Sequence, residues 1–95
     1  MIMARMTRRV NFDGSICFVR TEIELGLTFA LIAAHSSNEE KFKRNQRNAQ
    51  RAHDTARRFM SLIELPADEA AELSEMLAEL EHRLRLLGIF TRQLA

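Results

Sequence analysis

The chain has 95 residues, of which 46% are hydrophobic and 28% are charged, and its formal net charge is +1. This length holds one domain, and the composition is that of a folded protein rather than a disordered or fibrous one. The longest apolar stretch, residues 25–34, is about half of the roughly 20 residues that a membrane-spanning helix needs. The first residues hold too short an apolar stretch for a secretory signal. We therefore expect no membrane partner.

Cys17 is the only cysteine of the chain, so an intrachain disulfide is excluded. This usage fits a reducing compartment, and we expect a cytoplasmic location. Cys17 is either a reactive or dimer-linking thiol or a small apolar residue between Ile16 and Phe18, and the second interpretation is favoured.

Residues 1–19 differ from the rest of the chain. Asp13-Gly14 is a dipeptide that favours a tight turn. Because an isolated hairpin is stable only on a supporting surface, this segment is predicted to be an extended arm or a small β-hairpin packed on helices. The apolar residues that alternate at period two around the turn are Val10, Phe12, Ile16 and Phe18.

The first helix is predicted at residues 21–35. Thr21 and Glu24 have the spacing of a capping box at its start. Most positions of residues 23–34 are apolar, all around the helix. Such a helix is buried on several sides, so we expect it to contact two other helices or a second chain.

The second helix is predicted at residues 39–64. Ser-Ser-Asn at residues 36–38 supplies a cap, and glutamates at the next two positions suit the first turn. Apolar positions then recur at alternating spacings of three and four, which predicts one buried row with small alanines that let a neighbouring helix come close. The row consists of Phe42, Asn45, Ala49, Ala52, Ala56, Phe59 and Ile63.

The third helix is predicted at residues 67–87. Pro66 separates it from the second helix, because proline cannot continue a helix but suits the first turn of one. Gly88 is expected to end the helix in a left-handed conformation, with residues 89–95 as a tail. The buried row consists of Ala70, Leu73, Leu77, Leu80, Leu84 and Leu87.

Three helices joined by short connections favour an antiparallel up-down-up arrangement. The predicted fold is therefore all-α: a three-helix bundle over residues 20–88, preceded by the arm or hairpin of residues 1–19.

The charges of the second and third helices are of opposite sign. Residues 39–58 hold seven basic and three acidic side chains, whereas residues 68–85 hold six acidic and two basic ones. The favoured interpretation is that two antiparallel neighbours carry complementary flanks, which fix their register for little net stability.

The alternative is a phosphate-binding face on the second helix. Four arginines at spacings of three, four and seven share one side of it: Arg44, Arg47, Arg51 and Arg58. Arg5, Arg8 and Arg9 would add a basic arm, and together these side chains would follow a nucleic-acid backbone without reading bases. The absence of Trp and Tyr and the near-zero net charge argue against it.

Glu79 and His82 form a Glu-x-x-His pair, the kind used by di-iron helical bundles. Such a site needs two of these pairs and two further carboxylates, and the chain has one pair. The buried leucine row also turns both side chains away from the core. We therefore expect no metal site.

No residue pattern predicts catalysis. His35 lies at the end of the first helix, and His53 is adjacent to Asp54, a spacing at which helical side chains do not face each other. No nucleophile with a base at helical spacing and no Gly-rich phosphate loop occurs in the sequence. We expect neither enzymatic activity nor a cofactor.

The second helix carries Asn48-Ala49, Ala52, Asp54-Thr55-Ala56 and Phe59. With these positions, residues 24–59 resemble the helical hairpins of tetratricopeptide and MIT type, which place alanines where helices cross and an aromatic residue further along. Residues 21–88 have the length of a three-helix MIT domain. Residues 44–52 are also similar to the Arg-Asn-x-x-Asn-Ala-x-x-Ala core of small uncharacterised bacterial proteins. The resemblance implies a helical interaction module.

The sequence as a whole favours a non-enzymatic helical protein-interaction or oligomerisation module. Its partner is expected to be a second copy, as a homodimer, or a helix of another protein bound in a groove. The alternative is a nucleic-acid-associated protein that uses the basic face and the arm. The interaction residues, which a three-helix monomer is expected to leave partly uncovered, are Leu27, Leu31, Phe42, Phe59 and Met60.

Overall fold

The chain folds into three consecutive α-helices. The computed structural model describes the backbone of residues 2–94 and the side chains of residues 14–88. Helix α1 spans Ile2–Ala34, α2 spans Glu39–Leu62 and α3 spans Ala67–Leu94. Helices make up 89% of the chain, and no strand occurs among the described residues. The all-α class is confirmed.

Helices α1 and α2 are antiparallel. The ring of Phe18 packs against that of Phe59, and Gly26 lies against Ala52, so residue numbers rise along one helix as they fall along the other. Helix α3 runs parallel to α1, because residue numbers increase along both helices from one contact between them to the next. Arg20 pairs with Glu69 and Glu72, and Gly26 lies against Leu80. The up-down-up arrangement is confirmed.

The predicted arm or hairpin of residues 1–19 is replaced by the first half of α1, which begins at Ile2 rather than at residue 21. Ile16 and Val19 are buried and continue, at helical spacing, the row of Ile23. Burial of that row against the other helices favours helix over a hairpin, and Gly14 has no positive φ to make a turn. The side chains of Val10 and Phe12 lie outside the described residues.

The end of α3 also differs from the prediction. The helix continues through Gly88 to Leu94, and Gly88 has no positive φ. A glycine within a helix costs only about 1 kcal/mol relative to alanine, and no proline follows to stop the helix. The predicted tail of residues 89–95 is therefore helical up to Leu94.

The two connections follow the predicted signals. The Asn38 side chain caps α2 by accepting a hydrogen bond of 2.9 Å from the Lys41 backbone N–H. The Pro66 carbonyl accepts the first helical hydrogen bond of α3, 2.8 Å from the Ala70 nitrogen. Helix α2 ends at Leu62, two residues before the predicted end.

Three rows of side chains form the core, one from each helix. The rows predicted for α2 and α3 are confirmed, except that Phe59 lies at the surface, Ala70 and Leu84 are only half-buried, and Ile63 is half-buried just past the end of α2. Asn45, the polar member, is buried and donates a 2.9 Å hydrogen bond to the Lys41 carbonyl. The row of α1, called the inner row below, consists of Ile16, Val19, Ile23, Gly26, Ala30 and Ala33.

Candidate interaction surface

A second apolar row runs along α1 beside the inner row. Phe18, Leu25 and Ile32 are 40%, 43% and 37% exposed, and Phe29 is half-buried. With Glu22 they recur at alternating spacings of four and three, so they share one helix face. We call Phe18, Glu22, Leu25, Phe29 and Ile32 the outer row. It lies on the α2 side of α1, and the bundle leaves it partly uncovered.

Helix α2 continues this surface at one end of the bundle. The rings of Phe18 and Phe59 lie with their centroids 4.8 Å apart at an angle of 57°, which is a favourable tilted aromatic contact. Leu62, one turn beyond Phe59, is 70% exposed.

A depression of about 250 Å³ lies between the outer row and α2. We call it, with the outer row, the α1/α2 groove. Its floor is Ala52, a core residue too small to fill the space, and Arg51 lies on its α2 side. The lining residues are Glu22, Leu25, Phe29, Asn48, Arg51, Ala52 and Thr55.

A second depression, of about 260 Å³, lies on the other side of α1, against α3. Leu27 and Leu31 line it from α1, and Glu79 and Arg83 line it from α3. Arg83 donates a 2.9 Å hydrogen bond to Glu79 across one helical turn. A fixed ion pair therefore occupies one wall of this depression.

Of the five predicted interaction residues, the structure leaves four accessible. Leu31 and Phe59 are exposed, and Leu27 and Met60 are half-buried. Phe42 is only 6% exposed and belongs to the core, so the expectation that the bundle leaves it uncovered is wrong. Phe42 is buried because it lies on the same face of α2 as Ala49 and Ala56, which pack in the core.

The outer row was missed by the sequence analysis, although its signal is present. Phe18, Leu25 and Ile32 repeat every seven residues, and Phe29 completes the pattern. In a helix that is apolar on all sides two such rows are present, and the sequence pattern alone does not show which of them is buried.

The basic stripe of α2 consists of Arg44, Arg47, Arg51 and Arg58. All four side chains are exposed, on the face of α2 opposite its buried row. None of them forms an ion pair with another residue whose side chain the structure describes. The side chains of Arg5, Arg8 and Arg9 lie outside the described residues.

Four acidic side chains of α3 have partners other than the stripe. Glu69 and Glu72 pair with Arg20 of α1, at 3.3 Å for Glu69, and Glu79 pairs with Arg83 of α3 itself. The expectation that α2 and α3 carry complementary flanks is wrong for the stripe, because the acidic residues that approach a neighbouring helix contact α1 or His53. The stripe is left without counter-charges from α3.

His53 is a buried histidine between α2 and α3. Its Nδ1 lies 3.0 Å from Oδ1 of Asp54, so the adjacent side chains do meet, contrary to expectation. Its Nε2 lies 3.2 Å from Oε1 of Glu81, but without the angles of a hydrogen bond. The hydrogen bond with His53 is the main cause that lowers the pKa of Asp54, and a hydrogen bond from Gln50 adds to it. This cluster links two helices.

The remaining polar candidates lie apart from one another. Glu79 and His82 are exposed, as the leucine row predicts, and His35 is exposed at the end of α1. Within the part of the chain whose residues are described, no three potential metal ligands cluster.

Cys17 is free and exposed. None of the described helices is long and apolar enough to cross a lipid bilayer.

Comparisons with protein-family models, with curated proteins and with solved structures find no match to the chain. The resemblance to MIT and tetratricopeptide modules therefore stays a prediction, and the function is argued from the surface alone.

Proposed function

We propose that the protein is a non-enzymatic interaction module that binds a helix, of a second copy or of another protein, in the α1/α2 groove. The observation that supports this most strongly is the exposure of Phe18, Leu25 and Ile32 on one face of α1. Removing apolar surface from water gains about 25 cal/mol per Å², and contiguous exposed apolar patches mark interaction sites more often than isolated residues do.

The spacing of the outer row suits a helical partner. From Phe18 to Ile32 the row spans 14 positions, or about 21 Å along the helix axis. Anchors at spacings of three and four are those that an amphipathic helix presents when it lies in a groove. Leu27 and Leu31, on the α3 side of α1, offer only two apolar side chains, and the ion pair of Glu79 and Arg83 forms the other wall of their depression.

The proposal is tested with Leu25→Glu, which places a charge in the middle of the outer row. Light scattering coupled to gel filtration gives the mass, to be compared with the 11.0 kDa chain. Selection from a displayed library of amphipathic helical peptides then compares the wild type with the variant. We expect a dimer that the substitution dissociates, or peptides that only the wild type retains.

A monomeric wild type that selects no peptide in a Leu25-dependent manner would refute the proposal. Circular dichroism checks that the variant is folded, and Glu75→Gln, an exposed change on α3, is the control.

We further propose a cytoplasmic location, where the exposed thiol of Cys17 would stay reduced.

The second candidate is a nucleic-acid-associated protein, which the unpaired basic stripe favours. Fluorescence anisotropy with duplex DNA and with single-stranded RNA at low salt tests it. The double variant Arg47→Glu, Arg51→Glu is expected to abolish binding and keep its helicity, and wild-type affinity is expected to fall steeply with salt. Absence of wild-type binding at low salt, or binding that the double variant retains, would exclude this function.

A further inference from the structure

We infer that the occupant of the α1/α2 groove is an amphipathic helix of another protein with an acidic flank. The inference rests on the proposed interaction function and names its partner by chemistry. Three features support this inference: the unequal charge of the two sides of the groove, the effect of that charge on self-association, and the position of Glu22.

The two sides of the groove differ in charge. On the α2 side, Arg51 of the basic stripe lines the depression itself, and the other three arginines lie beyond it on the exposed face of α2. On the far side of the outer row, α1 presents the exposed residues Cys17, Thr21, Glu24 and Thr28, of which Glu24 is acidic and none is basic. A helix seated on the outer row therefore meets cations along one edge only. Acidic residues on that edge would pair with arginines that have no counter-charge from α3.

The same charge argues against a second copy as the occupant. An antiparallel pairing of two copies across the groove would place the two basic stripes opposite each other, and like charges that face across an interface are unfavourable. A parallel pairing would place each stripe of four arginines opposite the far side of the partner copy's α1, where Glu24 is the one acid among Cys17, Thr21, Glu24 and Thr28. In neither arrangement does the chain supply a row of acidic residues to match the stripe, since α1 offers the single exposed Glu24 at that edge and Glu69 and Glu72 of α3 already pair with Arg20.

Glu22 fixes where the partner lies along the groove. It interrupts the apolar outer row beside the depression that Arg51 and Thr55 line from α2. A single polar residue in an otherwise apolar helical seam specifies register at some cost in stability. The partner helix therefore has one polar or basic residue at that turn, between apolar anchors that contact Phe18 and Phe29.

The shape of the surface separates this occupant from an anionic membrane. The apolar residues line a groove between two helices, with Ala52 at its floor, whereas helices that lie on lipid present a convex apolar face. A groove one helix wide matches a helix better than a lipid surface. Binding to vesicles is accordingly an outcome that the test must detect.

The test uses synthetic peptides of about 21 residues, long enough as a helix to cover the about 21 Å row with a turn or more to spare at each end. The acidic peptide has leucine at the seam positions, one central lysine in the seam and glutamate on both flanks. The basic peptide has lysine in place of the flanking glutamates, and the scrambled peptide has no seam. Each is labelled and titrated with the full chain in an anisotropy experiment at moderate salt.

We expect the acidic peptide to bind at least about tenfold more tightly than the basic peptide, a difference of about 1.4 kcal/mol. Leu25→Glu should weaken it by about tenfold or more, as loss of a central anchor does. Arg51→Glu should weaken it by several-fold. The matched control is Arg85→Glu, an equal change of charge at an exposed position of α3, which should leave the affinity unchanged.

Three results would overturn the inference and leave the interaction function standing: equal or tighter binding of the basic peptide, a dimer that Leu25→Glu dissociates, or Leu25-dependent binding to phosphatidylglycerol vesicles without binding of the acidic peptide. If no peptide or vesicle binds and the chain is monomeric, the inference fails, and the library selection then decides whether the interaction function fails with it. Melting curves of both variants confirm that they are folded.

Discussion

The inner and outer rows of α1 are both apolar, yet only one is buried. The inner row contains Gly26, Ala30 and Ala33, whereas the outer row contains Phe18, Leu25, Phe29 and Ile32. The small residues from Gly26 onward let α2 and α3 come close to the inner row. Ile16, Val19 and Ile23, which precede them on the same face, are therefore buried with it, while the outer row stays partly exposed. The comparison teaches that the closeness of helix approach, more than the hydrophobicity of a side chain, decides which face of this helix is covered.

Paired alanine substitutions in the two rows should have the largest and most unequal effects. Ile23 of the inner row is fully buried, so Ile23→Ala is expected to lower the free energy of unfolding by about 2–5 kcal/mol. Leu25→Ala in the outer row should lower it by about 1 kcal/mol or less, because much of that side chain already contacts water. Urea denaturation followed by circular dichroism measures both, and similar losses would contradict the distinction between the rows.

Adding a methyl group tests how closely the helices approach the inner row. A Cβ on Gly26 would lie 2.7 Å from Cδ2 of Leu80 and 3.1 Å from Cβ of Ala52. Overpacking costs about 1–3 kcal/mol and alanine regains about 1 kcal/mol of helix propensity, so Gly26→Ala should destabilise the protein by up to about 2 kcal/mol.

Gly88→Ala is the matched control, since no atom lies within 4 Å of its added Cβ. Helix propensity then acts alone, and thermal or urea unfolding should show a gain of about 0.5–1 kcal/mol. Equal gains at Gly26 and Gly88 would mean that the three helices are further apart than described here.

The smallest effect is expected at the edge of α1 that faces α3, where polar contacts replace apolar ones. The hydrogen bond from Arg20, followed by its charge, lowers the pKa of Glu72. A carboxyl whose pKa is lower in the folded state adds stability above its unfolded-state pKa and loses it as the pH falls through the folded-state value. Unfolding measured between about pH 6 and pH 3 should therefore show a slightly weaker acid dependence for Glu72→Gln than for the wild type.

Glu75→Gln, at an exposed position of the same helix, is the control for removing one carboxylate. If the two variants change the acid dependence equally, the pair with Arg20 contributes nothing specific to the stability of the bundle.

Much of the fold was predictable because it depends on local periodicity. The rows of α2 and α3 repeat at three and four residues, Asn38 marks one helix start and Pro66 precedes another. The start of α1 was not predictable from Asp13-Gly14, because that turn signal is weaker than the burial of Ile16 and Val19 against helices distant in sequence. Likewise, Gly88 signals a helix end only when the following residues favour one.

The candidate surface was harder to predict. Which flank of an all-apolar helix is covered depends on how its neighbours rotate around it, and this is a property of the packed bundle. For the same reason the partner of Arg20 could not be read from the sequence, and the charge balance of α2 and α3 suggested a pairing that the arginine stripe does not make. Phe42 was misplaced because its row is more deeply covered at that end than at Phe59.

The contact of Gly26 with Leu80 has a consequence for how this protein can diverge. A larger residue at position 26 favours a smaller one at position 80, since the fully buried Leu80 would otherwise have to shift within the core. The two positions lie on different helices, yet in a set of descendants they would change as a pair, whereas Gly88 would vary alone. Correlated substitutions at positions 26 and 80 would therefore be evidence, in the sequences alone, that α1 packs on α3.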